Sequence, residues 1–130
     1  MIGIDTTVVI DLFKGVPELK RKIQELNTPL SATILTYLEL MFGLDLSMFN
    51  NKKEADYYDK FFETVYLFEL DKDSCKKASE INTFLRKKGK TIGEFDSTIA
   101  TILLKNGITT TLTRNRKHFE NIPNLKVVSY

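Results

Sequence analysis

Cysteine is almost absent: Cys75 stands alone in 130 residues, which excludes an internal disulfide and any cysteine-rich zinc site. No apolar run approaches the roughly 20 residues that cross a bilayer. The opening Met1-Ile-Gly-Ile-Asp5 has neither the basic start nor the long apolar stretch of a secretory signal. A cytoplasmic protein with no membrane partner is therefore expected. There is no G-x-x-x-x-G-K-[ST] loop, no G-x-G-x-x-G turn and no cysteine–histidine cluster, so P-loop, dinucleotide and zinc chemistry lack their sequence footing. A strong charge of one sign is missing as well. Nineteen basic and 17 acidic residues leave a formal charge of +2, which alone says little about partners. Linkers, repeats and low-complexity tracts are also lacking, and a chain of this length with 42% hydrophobic residues suits one domain over 1–130.

What is present is an alternation of short strands and helices. Residues 1–5 read as a buried strand ending in Asp5. Thr6 or Thr7 is placed to cap a helix from Val8 to Lys14, with Gly15 as its stop. Pro17 suits the first turn of a second helix through Leu26, and Asn27-Thr-Pro29 a turn. Leu30–Ile34 reads as a strand, and 35–46 as a helix. Asn50 to Val65 reads as a longer helix whose Tyr57, Tyr58, Phe61, Phe62 and Val65 form a broad aromatic stripe, suited to core burial or to a partner groove. Tyr66–Leu70 alternates like a strand, and Asp71 caps a helix to Lys88. A loop after Gly89 feeds a helix running to Lys105 and stopped by Gly107. Ile108–Thr113 is threonine-rich and β-branched, hence a strand; 114–123 is a loop or helical turn, and Leu125–Ser129 a last strand. The alternation predicts an α/β sandwich with a mostly parallel sheet.

Two carboxylates fall on apolar helix faces. Asp96 aligns with Ile99, Ala100 and Leu103 at about 100° per residue, while Glu94 points the opposite way; Glu39 aligns with Leu35, Phe42 and Leu46. Burying such groups is costly without a cation or hydrogen-bond donor. Asp5 ends the first strand and Asn115 follows the 108–113 strand, at the edge where open parallel sheets bind ligands. Singly, each has a plainer explanation: a helix cap, a snorkelling or paired acid, a first-turn acid, a turn residue. Together, three mutually repelling carboxylates and an amide from four segments suit Mg²⁺ or Mn²⁺, which takes oxygen ligands and leaves room for phosphate oxygens. Hydrolysis of a phosphodiester by a metal-activated water is the matching reaction class. Basic clusters at 86–90 and 114–117 make Arg114, Arg116, Lys88 and Lys90 candidate phosphate contacts. Asp11, Glu94 and Glu120 read as bystanders or supporting residues, Asp11 because its helix turns it away from Asp5. His118 stays outside the catalytic set, since a lone loop histidine is more often incidental. Cys75, within a helix, reads as packing.

Four segments carry a resemblance: Ile4-Asp-Thr-Thr-Val-Val-Ile-Asp-Leu12; Ser31-Ala-Thr-Ile-Leu-Thr-Tyr-Leu-Glu-Leu-Met-Phe-Gly43; Leu85-Arg-Lys-Lys-Gly-Lys-Thr-Ile-Gly-Glu-Phe-Asp96; and Leu112-Thr-Arg-Asn-Arg-Lys-His-Phe119 with Ile122-Pro123. In order and spacing they resemble the PIN-domain family, most of all its VapC-type toxins from toxin–antitoxin pairs, over nearly the whole chain. The resemblance implies a three-layer α/β/α sandwich and a Mg²⁺- or Mn²⁺-dependent endoribonuclease whose acids are Asp5, Glu39 and Asp96, with Asn115 at the fourth polar position. It also implies a homodimer, an RNA substrate and a small antitoxin that blocks the cleft. Thr7 replaces the asparagine usual after Asp-Thr, and His118 stands where many relatives carry an acid. The competing readings are a degenerate module that keeps the fold but only binds RNA or protein and, last, an aspartyl phosphatase. The latter lacks a second acid close to Asp5.

Overall fold

The computed structural model describes residues 1–130. The elements run β1 (Ile2–Ile4), α1 (Thr6–Lys14), α2 (Pro17–Leu26), β2 (Leu30–Thr33), α3 (Ile34–Phe42), α4 (Phe49–Phe62), β3 (Tyr66–Phe68), α5 (Lys72–Lys87), α6 (Glu94–Lys105), β4 (Thr110–Leu112), α7 (Arg116–Phe119) and β5 (Lys126–Val128). The five strands form one sheet in the order β3-β2-β1-β4-β5, and every pairing is parallel. β1 is central, with Gly3 opposite Ser31 of β2 and Thr111 of β4. Successive strands run outward from β1 through β2 to β3, and the chain then returns to lay β4 and β5 on the other side. The order therefore reverses between β1 and β4, the place where open parallel sheets offer a binding crevice at the carboxyl ends of the strands.

Helices cover both sheet faces. On one, Val8 and Val9 of α1, Leu19 of α2 and Tyr58 and Phe62 of α4 pack with Ile2, Ile4, Ala32 and Leu112. On the other, α6 supplies Ile99, Ile102 and Leu103 to one cluster with Leu35 and Ile108. Its Ala100 joins Leu85 of α5 and Phe119 of α7 in a second. α6 explains a glycine in the central strand. A Cβ on Gly3 would lie 2.5 Å from Leu103 Cδ1, and Leu103 is fully buried, so only a residue without a side chain lets this helix sit on β1. Gly3→Val should cost about 1–3 kcal/mol of stability by overpacking, read as a lower urea midpoint at unchanged slope.

Most boundaries follow the sequence pattern, and the departures have local causes. α1 begins at Thr6, capped by Asp5 rather than by a threonine: the Asp5 carboxylate accepts from the Val8 N–H. Gly15 ends α1 in the left-handed region at φ 72°, as its freedom at positive φ allows. α3 stops at Phe42, so Leu46 lies beyond the helix and half exposed, off the wheel that aligned it with Glu39. In α4, Tyr58 and Phe62 are buried while Tyr57 is exposed. The aromatic stripe thus splits between core and surface. The 114–123 segment contains one helical turn, α7.

Candidate functional site

The acids arrive on separate elements around the crevice. Asp5 directly follows β1. Its burial is nearly complete at 3% exposure, and three donors from this chain hold it: the Thr7 hydroxyl at 2.6 Å, the Thr113 hydroxyl at 2.6 Å and the Val8 N–H at 3.3 Å. Burial nonetheless pushes its carboxyl pKa up, against the lowering effect of those bonds, and the charge of Asp96 adds to the rise. Asp96 is the third residue of α6, mostly buried. Its pKa is also raised, by burial first, with the His118 hydrogen bond and charge opposing. Glu39, on α3, accepts a hydrogen bond from the Thr6 hydroxyl, so the residue next to Asp5 ties the first acid to the second. Asn115 precedes α7; its N–H donates to Thr113 Oγ1 at 2.9 Å, and that hydroxyl donates in turn to Asp5. A two-bond relay therefore runs from the fourth polar position to the first.

Glu39 and Asp96 line one open cleft of about 1030 Å³ between α3, α5 and the start of α6, and Asp5 is not on its wall. Glu94 lines the same cleft although the helical wheel set it opposite Asp96; within the first turn of a helix, both side chains can reach an open rim. Neither Asp5 nor Glu39 has a basic side chain within ion-pair distance. No three histidine, cysteine, aspartate or glutamate side chains are gathered closely enough to share an ion as they stand. The donors therefore fit a hard divalent cation in kind, being all oxygen, and in having buried charge with no counter-ion. They are not drawn around a common point.

Several residues sit differently from the sequence reading. Asp11 is no surface bystander: it is 2% exposed. It accepts two hydrogen bonds from Arg114 Nη1, at 3.0 and 3.2 Å, and one from the Tyr130 hydroxyl at 2.7 Å. That pairing occupies Arg114, whose own N–H donates to Thr7 Oγ1 at 3.2 Å. Arg114 thus braces the partner of Asp5. Lys88 caps the end of α5 with its ammonium 5.2 Å from the Phe84 ring centroid, and Lys90 and Arg116 are exposed. None of these four cations lines the cleft; Arg86 is the basic side chain that does. Cys75 is exposed in the cleft wall rather than packed.

His118, set aside in the sequence, stands with Nδ1 2.7 Å from Asp96 Oδ2. It is placed there because Phe119 beside it is fully buried and pins α7 to α6. The signal was present in the sequence: Phe119 is the one apolar residue between Thr113 and Ile122, so it had to point inward. The side chain before it then had to lie at the rim.

No protein-family model matches the chain, and neither does any curated protein. Solved structures do match it from end to end. VapBC2 from Rickettsia felis, bound to a DNA fragment from its promoter, aligns with a TM-score of 0.84 at 22% identity, covering 100% of this chain and 99% of that one. VapBC-1 from nontypeable Haemophilus influenzae aligns with 0.79 at 25% identity, covering 99% and 98%. VapBC-5 from Mycobacterium tuberculosis, of the VapBC family of toxin–antitoxin systems, aligns with 0.72 at 14% identity, covering 99% and 98%. The three-layer α/β fold read from the sequence is the fold of these matched chains, and the neighbours are the toxin–antitoxin complexes that the VapC resemblance implies.

Proposed function

We propose that this chain is a metal-dependent endoribonuclease, the toxin of a VapBC-type toxin–antitoxin pair. One observation carries the reading: Asp5 and Glu39, with no basic partner, and Asp96, paired only with His118, come from three elements of a parallel sheet fold whose neighbours along its full length are VapBC complexes. Asp5, Glu39 and Asp96 would hold Mg²⁺ or Mn²⁺. Such an ion supplies Lewis acidity to a phosphodiester oxygen and acidifies water. The chain's own part is placement. Thr7 and Thr113 fix the Asp5 carboxylate, Thr6 fixes Glu39, and His118 orients Asp96, so the acids meet the substrate already positioned. Asn115, linked to Asp5 through Thr113, is the group proposed to orient metal or water. RNA is the proposed substrate. An antitoxin and a second copy of the chain are the proposed protein partners, and the cytoplasm the proposed compartment. No helix is long and apolar enough to cross a membrane.

A second reading has its own support. Since no three metal-capable side chains are gathered as they stand, a module that binds RNA or protein without cutting is the alternative. An RNA cleavage assay separates the two. Single-stranded RNA should be cut with Mn²⁺ or Mg²⁺ and left intact with EDTA. Protein that binds RNA but leaves it whole in both metals would establish the binding module instead.

A further inference from the structure

The cleft has two unlike walls. One carries the acids, Glu39 and Asp96. The other is α5, which turns Ser79, Asn82, Thr83 and Arg86 toward the same space. Their spacing of three, one and three residues is that of a single helical face, and the ladder extends roughly 10 Å along the axis at about 1.5 Å per residue. Every member can donate a hydrogen bond. Arg86 ends the ladder as the cleft's one basic side chain. It is exposed and has no carboxylate within ion-pair distance, although Glu94 shares its cleft. Its one side-chain hydrogen bond is a long one, 3.4 Å to Thr83 Oγ1. By contrast Arg114, the sequence candidate, is bound to Asp11. A guanidinium left free beside neutral donors, across from metal-suited acids, matches a substrate whose backbone is anionic and rich in acceptors.

We infer that Arg86, at the end of the α5 donor ladder, is the phosphate contact that holds single-stranded RNA across the cleft from Glu39 and Asp96. The inference rests on the nuclease reading. Arg86 supplies binding and orientation, taking a phosphate oxygen pair while Asn82 and Thr83 meet neighbouring sugar or phosphate oxygens. The acids keep the chemistry.

Fluorescence anisotropy with a labelled single-stranded RNA, in EDTA so that nothing is cut, tests it without drawing on activity. Arg86→Gln should weaken binding about tenfold at low salt and flatten the slope of log affinity against log salt by about 0.7, the loss of one phosphate contact on a single strand. Arg86→Lys should restore the slope but not the full affinity, because lysine keeps the charge and loses the fork. Lys126→Gln, an equal charge loss on exposed β5, should leave the slope as it was. If Arg86→Gln binds RNA as the parent does while the parent cuts RNA with Mn²⁺, Arg86 has no such role and the nuclease reading stands. If Arg86→Gln changes self-association by sedimentation but not RNA binding, the wall belongs to a protein interface and the inference fails. A parent that neither binds nor cuts RNA overturns both.

Discussion

Replacing Asp96 with asparagine is expected to lower metal-dependent RNA cleavage by at least about 100-fold, while the metal-free protein becomes no less stable. The two halves come from one fact. Burial raises the Asp96 pKa more than His118 lowers it, so without a metal this position favours a neutral group. The sign follows by linkage. A carboxyl whose folded pKa lies above its unfolded value binds its proton more tightly when folded. Stability is therefore greatest below the ordinary carboxylate pKa and falls as pH rises through the window up to the folded value. Asp5 is raised too, by burial first, and acts in the same direction. Asp71 and Asp73, lowered by their lysine partners, act the other way, so the test is the difference between proteins: Asp96→Asn should gain stability relative to the metal-free parent as pH rises from acid toward neutral. Adding Mn²⁺ should then raise the parent's melting temperature, by the equivalent of about 2.7 kcal/mol at a hundredfold excess over Kd, and leave the variant unmoved. Thermal melts across pH, with and without Mn²⁺, read all of this. A variant that cuts RNA at the parental rate, or that melts well below the parent without metal, contradicts the assignment.

Phe119→Ala is expected to cost about 3–5 kcal/mol, the usual penalty for emptying a buried aromatic site, and to lower the melting temperature by roughly 10–20 °C in a chain of this size. Phe119 is the largest fully buried side chain and fills the cluster with Leu85, Ala100, Ile122 and Leu125. α7 has only four residues, too few to hold a helix by itself, so Phe119 is what registers this turn against α6. Losing it should release His118 from Asp96 along with the Asn115 end of the turn. Nuclear magnetic resonance of the single histidine would show it as an imidazole that no longer senses its carboxylate partner. Phe119→Leu, which keeps most of the apolar volume, should keep the contact. An alanine variant with an unchanged melting temperature would mean that α7 is anchored elsewhere.

The fold was largely legible because its signals are local. Asp71 caps α5 by accepting from the Ser74 N–H at 2.8 Å, Pro17 opens α2, and β-branched runs mark the buried strands. The parallel sheet followed from the alternation alone. The site was legible only in outline. A helical wheel says which side of an axis a residue occupies but not what has been packed against that side. It therefore set Asp11 apart from Asp5, with nothing to reveal Arg114, 103 residues later, which pairs with Asp11 and bonds Thr7 beside Asp5. Basic clusters drew attention to Arg114, Arg116, Lys88 and Lys90, whereas the cleft takes Arg86, the first residue of the 86–90 cluster and still within α5. Charge density along a chain is a poor guide to charge position around a helix. Thr113, which with Thr7 holds Asp5, reads in the sequence only as one threonine of a β-branched strand.

The placement of β4 beside β1 has a consequence for synthesis. The hydroxyl that completes the Asp5 environment lies 108 residues downstream, and the strand that flanks β1 on that side is made long after β1. On a translating ribosome, Asp5 cannot gain the Thr113 hydroxyl, nor β1 its β4 neighbour, until residues 110–113 have emerged. The first acid to be synthesised is thus the one whose surroundings are finished late.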